Sequence, residues 1–254
     1  MNNLTKYIYP IAGLFCVGVV WELLLRFAVV SPILLPYPKQ VLIELKTFCF
    51  NQTFWLDFLD TIFSWSFGLL SGIIIGTIGG LLLSINNKIW LMVEPIIEFF
   101  RSLPSIVLVP LISLFLGIGL KSKIVCVIVV VAVTIISTIG IALRNMHVTY
   151  VKLQYSWKLS TKSKVVYIYL PEIASHLLIA IKATIPLALI VAIAADMLIA
   201  TDNGIGKIIT DSLAVFDTPK MYAAIIVVGI LGYASAKLST LLEKKIIHWN
   251  TKNN

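Results

Sequence analysis

The chain has 254 residues, of which 59% are hydrophobic and only 13% charged, with a mean hydropathy of +0.98 and a formal net charge of +8. A soluble domain is about 45–50% apolar and roughly 25% charged, and a chain of this size cannot hide the excess in one core, so a water-soluble fold is excluded. The positive charge falls mainly between apolar segments, which points to membrane orientation and anionic headgroups and away from nucleic acid.

A helix crosses the roughly 30 Å hydrocarbon core with about 20 apolar residues, and six segments meet or approach that length. The first covers about 7–30 and reads as a retained span, because its apolar run continues past Trp21 towards Phe27 with no small-residue cleavage site. Glu22 and Arg26 lie four apart within it and are placed to pair. A linker, 31–60, holds Leu35-Pro36-Tyr37-Pro38 and then Val41, Leu42 and Leu45 at helical spacing, the pattern of a short amphipathic helix at an interface. The second span, 61–85, has no charge. The third, about 90–120, has Glu94, Glu98 and Arg101 near its start and Pro104 and Pro110 within it. A tight turn, Gly117-Ile118-Gly119-Leu120-Lys121-Ser122-Lys123, leads to the fourth span, 124–143. A segment 144–172, a fifth span 173–200, a loop 201–220 and a sixth span 221–242 complete the chain. The expected fold class is all-α: one polytopic membrane domain of about six transmembrane helices.

Orientation follows from the bases. Arg144, Lys152, Lys158, Lys162 and Lys164 fall in 144–171 with no acid, whereas 201–220 has Asp202, Asp211 and Asp217 against Lys207 and Lys220. The positive-inside rule puts the first segment in the cytoplasm and the second outside. Six spans then leave both termini cytoplasmic, in agreement with Lys6, Lys244, Lys245 and Lys252; Lys121 and Lys123 count the other way.

Several patterns bear on packing and chemistry. Gly68, Gly72, Gly76 and Gly80 strip one stripe of the second span of side chains, so another helix of the chain or of a second copy is expected to pack closely there. Asp196 lies within the fifth span, where an acid costs about 2.5–3.5 kcal/mol on insertion scales. It serves either as a gate or pathway residue or as an interhelical hydrogen-bonding group near the outer end, and Lys182, some four turns away, is too far to be its partner. Gly204-Ile205-Gly206-Lys207 looks like the end of a phosphate-binding loop, but Ile208 stands where Ser or Thr must reach magnesium and Thr201 where an earlier glycine belongs. No ATPase site and no cofactor are expected. Cys16, Cys49 and Cys126, like His147, His176 and His248, are too scattered to form a metal site. In 144–172, Leu153 and Trp157 lie four apart among basic residues, as in a short surface helix that docks a cytoplasmic partner or binds headgroups.

Taken in order, these segments resemble the permease subunits of bacterial ATP-binding-cassette (ABC) importers with the MetI-like fold, in the branch for sulfonate, taurine, nitrate and thiamine-precursor uptake. The resemblance covers nearly the whole chain. It is carried by Trp21-Glu22 with Leu35-Pro36-Tyr37-Pro38-Lys39-Gln40-Val41, by Glu98-Phe99-Phe100-Arg101-Ser102-Leu103-Pro104, and by Leu114-Phe115-Leu116-Gly117-Ile118-Gly119. Leu170-Pro171, Ala195-Asp196-Met197-Leu198, Asn203-Gly204-Ile205-Gly206 and Phe216-Asp217-Thr218 continue it, with Asp196 where the family more often has Glu. The resemblance implies a membrane-embedded translocation path, no enzymatic activity of the chain itself, and four kinds of partner. These are cytoplasmic ABC ATPase subunits, an extracytoplasmic solute-binding protein, a second permease copy or close homologue, and the bilayer. It also implies that Leu170 and Pro171 end the loop that couples to the ATPase. Counting back, the family's Glu-Ala-Ala falls on Lys152-Leu153-Gln154 and its glycine on Lys158, so the hallmark residues are replaced while the frame is kept. Trp157 is the expected anchor of the coupling segment. The rival readings are a secondary transporter, which needs a coupling-ion site, and an intramembrane enzyme, which needs a nucleophile–base or metal cluster that the spans lack.

Overall fold

The computed structural model describes residues 5–146, 160–199 and 203–246. Its helices are α1 (Thr5–Arg26), α2 (Pro38–Phe50), α3 (Gln52–Ile85), α4 (Asn87–Ser102), α5 (Leu108–Leu116), α6 (Leu120–Arg144), α7 (Leu170–Leu198), α8 (Ile205–Ala214) and α9 (Thr218–Ile246). A single helical turn, Thr161–Lys164, and a π-helical stretch, Val165–Tyr169, lead into α7. Among the described residues, α3, α6, the run Val165–Leu198 and Thr218–Leu241 of α9 are long and apolar enough to cross a membrane. The pair α4 and α5, bent by 94°, makes a fifth if counted as one broken span. The 22-residue α1 exposes Phe15, Val17 and Val20.

The centre of the bundle is α6. Its buried Val127, Val131, Ile135 and Ile139 face α3, and Cys126 and Val130 join them in a core shared with Ala188, Val191, Ala192 and Ala195 of α7. The four-residue glycine ladder lies against this face. A Cβ on Gly68 would stand 2.6 Å from Val127 Cβ, on Gly72 2.7 Å from Val131 Cβ, on Gly76 2.8 Å from Ile135 Cβ, and on Gly80 3.0 Å from Ile139 Cβ. Each step of four on α3 is thus matched by a step of four on α6, so the two helices run parallel and in register. A smaller core joins α2, α8 and α9 through Val41, Phe48, Ile205, Ile209, Ala223 and Ala224, with Phe54 at the start of α3.

Five expectations change. The 34 residues of α3 are about 50 Å long, against roughly 30 Å of hydrocarbon, and its first turns take in Asp57 and Asp60, which the sequence placed in the linker. Asn51 begins this helix by accepting the Thr53 N–H at 2.9 Å. Within the same linker α2 does form, but its buried Val41 and Phe48 pack on protein. The third span is not continuous: Leu103 is extended (φ −71°, ψ 135°) because the ring of Pro104 disfavours helical geometry before it, whereas Pro110 sits in the first turn of α5 and costs no hydrogen bond. The turn between the third and fourth spans is shorter than expected. Gly117 and Gly119 make it at φ +80° and +135°, Ser122 Oγ donates to the Gly117 carbonyl, and Lys121 and Lys123 already belong to α6. The loop 201–220 contains α8.

The register generates a test. Gly72→Leu meets the branched Cβ of Val131, which has no rotamer that clears the contact, and overpacking of this kind costs about 1–3 kcal/mol. The detergent-solubilised variant is expected to melt below wild type, with Gly72→Leu/Val131→Gly recovering part of the loss, because the second substitution removes the Cβ that the new side chain meets. Wild-type melting of Gly72→Leu would separate the ladder from the α3–α6 contact.

Candidate functional site

The structure concentrates its polar chemistry at the two ends of α6 and at the break between α4 and α5. At the start of α6, Lys123 is 1% exposed and its ammonium stands 2.7 Å from Asp196 Oδ1 at the end of α7. The same ammonium bonds to Asp60 Oδ2 and donates to the carbonyl of Asn203 at 2.6 Å. Asp196 Oδ2 accepts from Thr61 Oγ1 at 2.5 Å, and Thr61 Oγ1 in turn accepts the N–H of Ile205 at 2.9 Å. Asp57 Oδ1 accepts the N–H of Gly204 at 2.8 Å. The first amides of α8 thus meet acceptors on α3, where the positive end of a helix favours them. Gly204 and Gly206 close over the carboxylate: a Cβ on Gly204 would lie 2.5 Å from Asp196 Cγ, and one on Gly206 2.6 Å from Asp196 Cβ. This explains the Gly-Ile-Gly motif without any phosphate. α3, α6, α7 and α8 are joined at one point.

At the other end of α6, Ser137, Gly140 and Arg144 form one face and receive α4. Trp90 is 2% exposed and fills the space that Gly140 leaves, where a Cβ would lie 1.8 Å from the indole. Arg144 covers the ring at 5.5 Å from its centroid, donates to Asn87 Oδ1 at 2.8 Å and stands 3.9 Å from Glu94 Oε2. One helical step higher, Ser137 Oγ donates to Glu98 Oε1 at 3.0 Å and accepts from Arg101 Nη1 at 3.3 Å. At the break itself a cavity of about 120 Å³ opens, with Arg101, Ser105 and Thr134 as its polar lining and Leu108, Val130 and Leu187 among its apolar walls.

The residues singled out from sequence fall in three places. Gly68, Gly72, Gly76 and Gly80 lie on the face of α3 that packs against α6, and Asp196 lies in the Lys123 cluster. Leu170 and Pro171 begin α7 and are exposed. Lys152, Leu153, Gln154, Trp157 and Lys158 lie outside the described residues. Lys123 is the residue the sequence reading misassigned, counting it as a loop base. Its signal was its place one residue before an apolar run that another chain segment, with Asp57 and Asp60 three apart, was available to neutralise. Gly140 and Trp90 gave no signal, because a lone glycine and a lone tryptophan in apolar segments have no spacing to read. The Glu22–Arg26 pair forms at 3.1 Å and is exposed.

The cluster predicts an asymmetry. Lys123→Met leaves Asp60 and Asp196 facing each other without a cation, a loss of about 3–5 kcal/mol for an uncompensated buried charge. Asp196→Asn keeps the Thr61 contact and leaves Lys123 paired with Asp60, so its melting temperature is expected to fall less. The reverse order in a detergent melt would remove Lys123 from the centre of the cluster.

A family model described as binding-protein-dependent transport system inner membrane component matches residues 68–248. The putative aliphatic sulfonates transport permease protein SsuC of Bacillus subtilis is 25% identical over 235 residues, covering 91% of this chain and 83% of its own. The formylaminopyrimidine transport permease protein ThiX of Halalkalibacterium halodurans is 27% identical, with 92% of both chains covered. The taurine transport system permease protein TauC of Escherichia coli is 21% identical, covering 91% of this chain and 86% of its own. Among solved structures, a chain of the inward-facing MetNI methionine ABC transporter superposes with a TM-score of 0.59 at 21% identity, covering 74% of this chain and 96% of that one. The chain therefore belongs to the inner-membrane component family of binding-protein-dependent transport systems, as a multi-pass permease subunit of an ABC importer.

Proposed function

We propose that the chain pairs with a second permease copy, or a close homologue, to line the path of a small solute of the sulfonate, taurine or thiamine-precursor kind into a bacterial cytoplasm. The observation that carries the solute class is that three relatives, each aligned over more than nine-tenths of this chain, are permeases for aliphatic sulfonates, formylaminopyrimidine and taurine. A second copy is supported by the apolar side chains that α4 and α5 leave uncovered, among them Met92, Phe99, Leu114 and Phe115. The orientation, with both termini cytoplasmic, is supported by the basic run from Arg144 to Lys164 and by the burial of Lys123, which removes it from the count of outer loop charges. The segment around Trp157 is the proposed docking element for the ATPase, since it follows directly on α6 and precedes Leu170-Pro171. Asp196 is proposed as an anchor of the outer end, because Lys123 and Thr61 both hold it.

Reconstitution with the ATPase and binding protein tests the function. ATP-dependent uptake of at least one of ethanesulfonate, taurine or a formylaminopyrimidine is expected; ATP-independent, ion-driven uptake would favour a secondary transporter. Orientation is read by impermeant thiol labelling of intact cells in a background free of Cys16, Cys49 and Cys126. A cysteine at exposed Val215 is expected to label and one at Ser160 not to; the opposite pattern inverts the topology. In a detergent pull-down, Trp157→Ala is expected to lose the ATPase while the permease stays folded. Unchanged recovery with intact solute-stimulated hydrolysis would remove Trp157 from coupling.

A further inference from the structure

The cavity at the α4–α5 break has a composition that selects among solutes. It lies beside Val130 and Thr134, midway along the 25 residues of α6, and therefore near the middle of the membrane. A broken span at that depth is where solute sites form in helical carriers, since backbone groups freed by the break need a polar occupant or water. At about 120 Å³ the cavity holds several waters and is well below the about 300–1,000 Å³ of sites for drug-sized ligands. It suits a compact solute.

Its charge is a cation. Arg101 closes α4 two residues before the break, and its side chain is 50% exposed. Its contacts on the protein are long: 3.4 Å to Glu98 Oε1 and 3.3 Å to Ser137 Oγ, both through Nη1. Ser137 also donates to Glu98 at 3.0 Å, so that carboxylate is engaged on α6 as well as facing the guanidinium. A planar guanidinium offers five N–H groups in a fork that matches an oxyanion, and one nitrogen accounts for both of these contacts. Thr134 Oγ1 donates to the Val130 carbonyl at 2.8 Å, which leaves its oxygen as an acceptor, and Ser105 begins the helical turn after the break. The rest of the wall is apolar, the Phe100 ring together with aliphatic side chains such as Leu103, Val133 and Leu187. This is a site with one cationic end and one apolar end.

We propose that this cavity is a transient site for a small organic anion with a short apolar tail, a sulfonate rather than an aminopyrimidine, and that Arg101 binds its oxyanion head as the solute passes. The assignment rests on the importer function proposed above and narrows its solute. Glu98 and Ser137 hold Arg101 in position, and the nearby carboxylate keeps the site weak enough to release its occupant.

The test uses membrane vesicles containing the permease with its ATPase and binding protein, in the cysteine-free background with Val133→Cys as a reporter on the cavity wall. Ethanesulfonate at millimolar concentration is expected to slow alkylation of the reporter several-fold, with choline chloride at equal ionic strength giving no protection. Arg101→Gln is expected to raise the half-protecting concentration at least about tenfold, the loss of a charged hydrogen-bonding partner. Arg101→Lys is expected to keep partial protection, because an ammonium lacks the fork geometry, and it decides the matter if the Gln variant does not accumulate. No protection by ethanesulfonate, protection that is equal in the Arg101 variants, or protection by a formylaminopyrimidine alone would each overturn the site. ATP-dependent uptake in the same vesicles reads the importer function separately. Uptake without Arg101 dependence sinks the anion site and leaves the importer, whereas Arg101-dependent protection without uptake does the reverse.

Discussion

A lysine that is 1% exposed among apolar helices is costly unless its charge is met on every side, and Lys123 is met by Asp60, Asp196 and the Asn203 carbonyl. Those partners come from the start of α3, the end of α7 and the approach to α8. Satisfying one ammonium therefore requires four chain segments to meet at the first turn of α6. Once they do, the directions of the helices are determined: α3 and α6 leave the cluster side by side and α7 arrives at it from the opposite direction. The small residues follow from the same constraint. Gly204 and Gly206 are the only way to bring the start of α8 onto the carboxylate, since a Cβ at either would overlap Asp196.

The glycine ladder is the continuation of that meeting point. Parallel helices whose ends are pinned have one register left to choose, and the ladder fills it with backbone-to-side-chain contacts that side chains larger than glycine would prevent. Continuing the ladder back by four residues reaches Ser64, buried and level with Lys123 in the same register. Small residues therefore line α3 from the ion cluster to the far end of the bundle. Between helices immersed in lipid, where burial of apolar surface supplies little net drive, such close packing and a few interhelical polar contacts do the holding.

How much of this was legible in the sequence depended on whether a feature repeats. The apolar runs, the four-residue glycine spacing and the isolated Asp196 were visible because a period or a lone charge in hydrocarbon stands out against its surroundings. The ends of the helices were less so: Asp57 and Asp60 look like loop residues until Asn51 is recognised as a cap, and Lys123 looks like a loop base until it is given partners 63 and 73 positions away in the chain. The break in the third span was marked by Pro104, but a proline inside an apolar run is compatible with a kink as well as a break. What decides for a break is the extended Leu103, which is not a property of any one residue type. Trp90 on Gly140 is the extreme case: each residue is ordinary in its own segment, and only their meeting has meaning.

The two ends of α6 differ in kind, and the difference sets where the bundle yields. At the Lys123 end, charge and backbone hydrogen bonds bind four segments into one unit, and separating any of them exposes an unpaired charge to a low-dielectric interior. At the Arg144 end a single helix, α4, is held by an indole in a glycine slot and by half-exposed ion pairs, which water and salt weaken. That end leads at once into the 144–172 segment. Trp90, buried against Gly140, ties α4 to this end of α6. Beyond it α4 carries Pro95 within its length and ends at the extended Leu103, where the chain bends by 94° into α5 beside the cavity. Of the two ends of α6, the Lys123 end is therefore the more firmly joined, because parting its segments leaves a buried charge unpaired, whereas the Arg144 end is secured to one helix across partly exposed ion pairs.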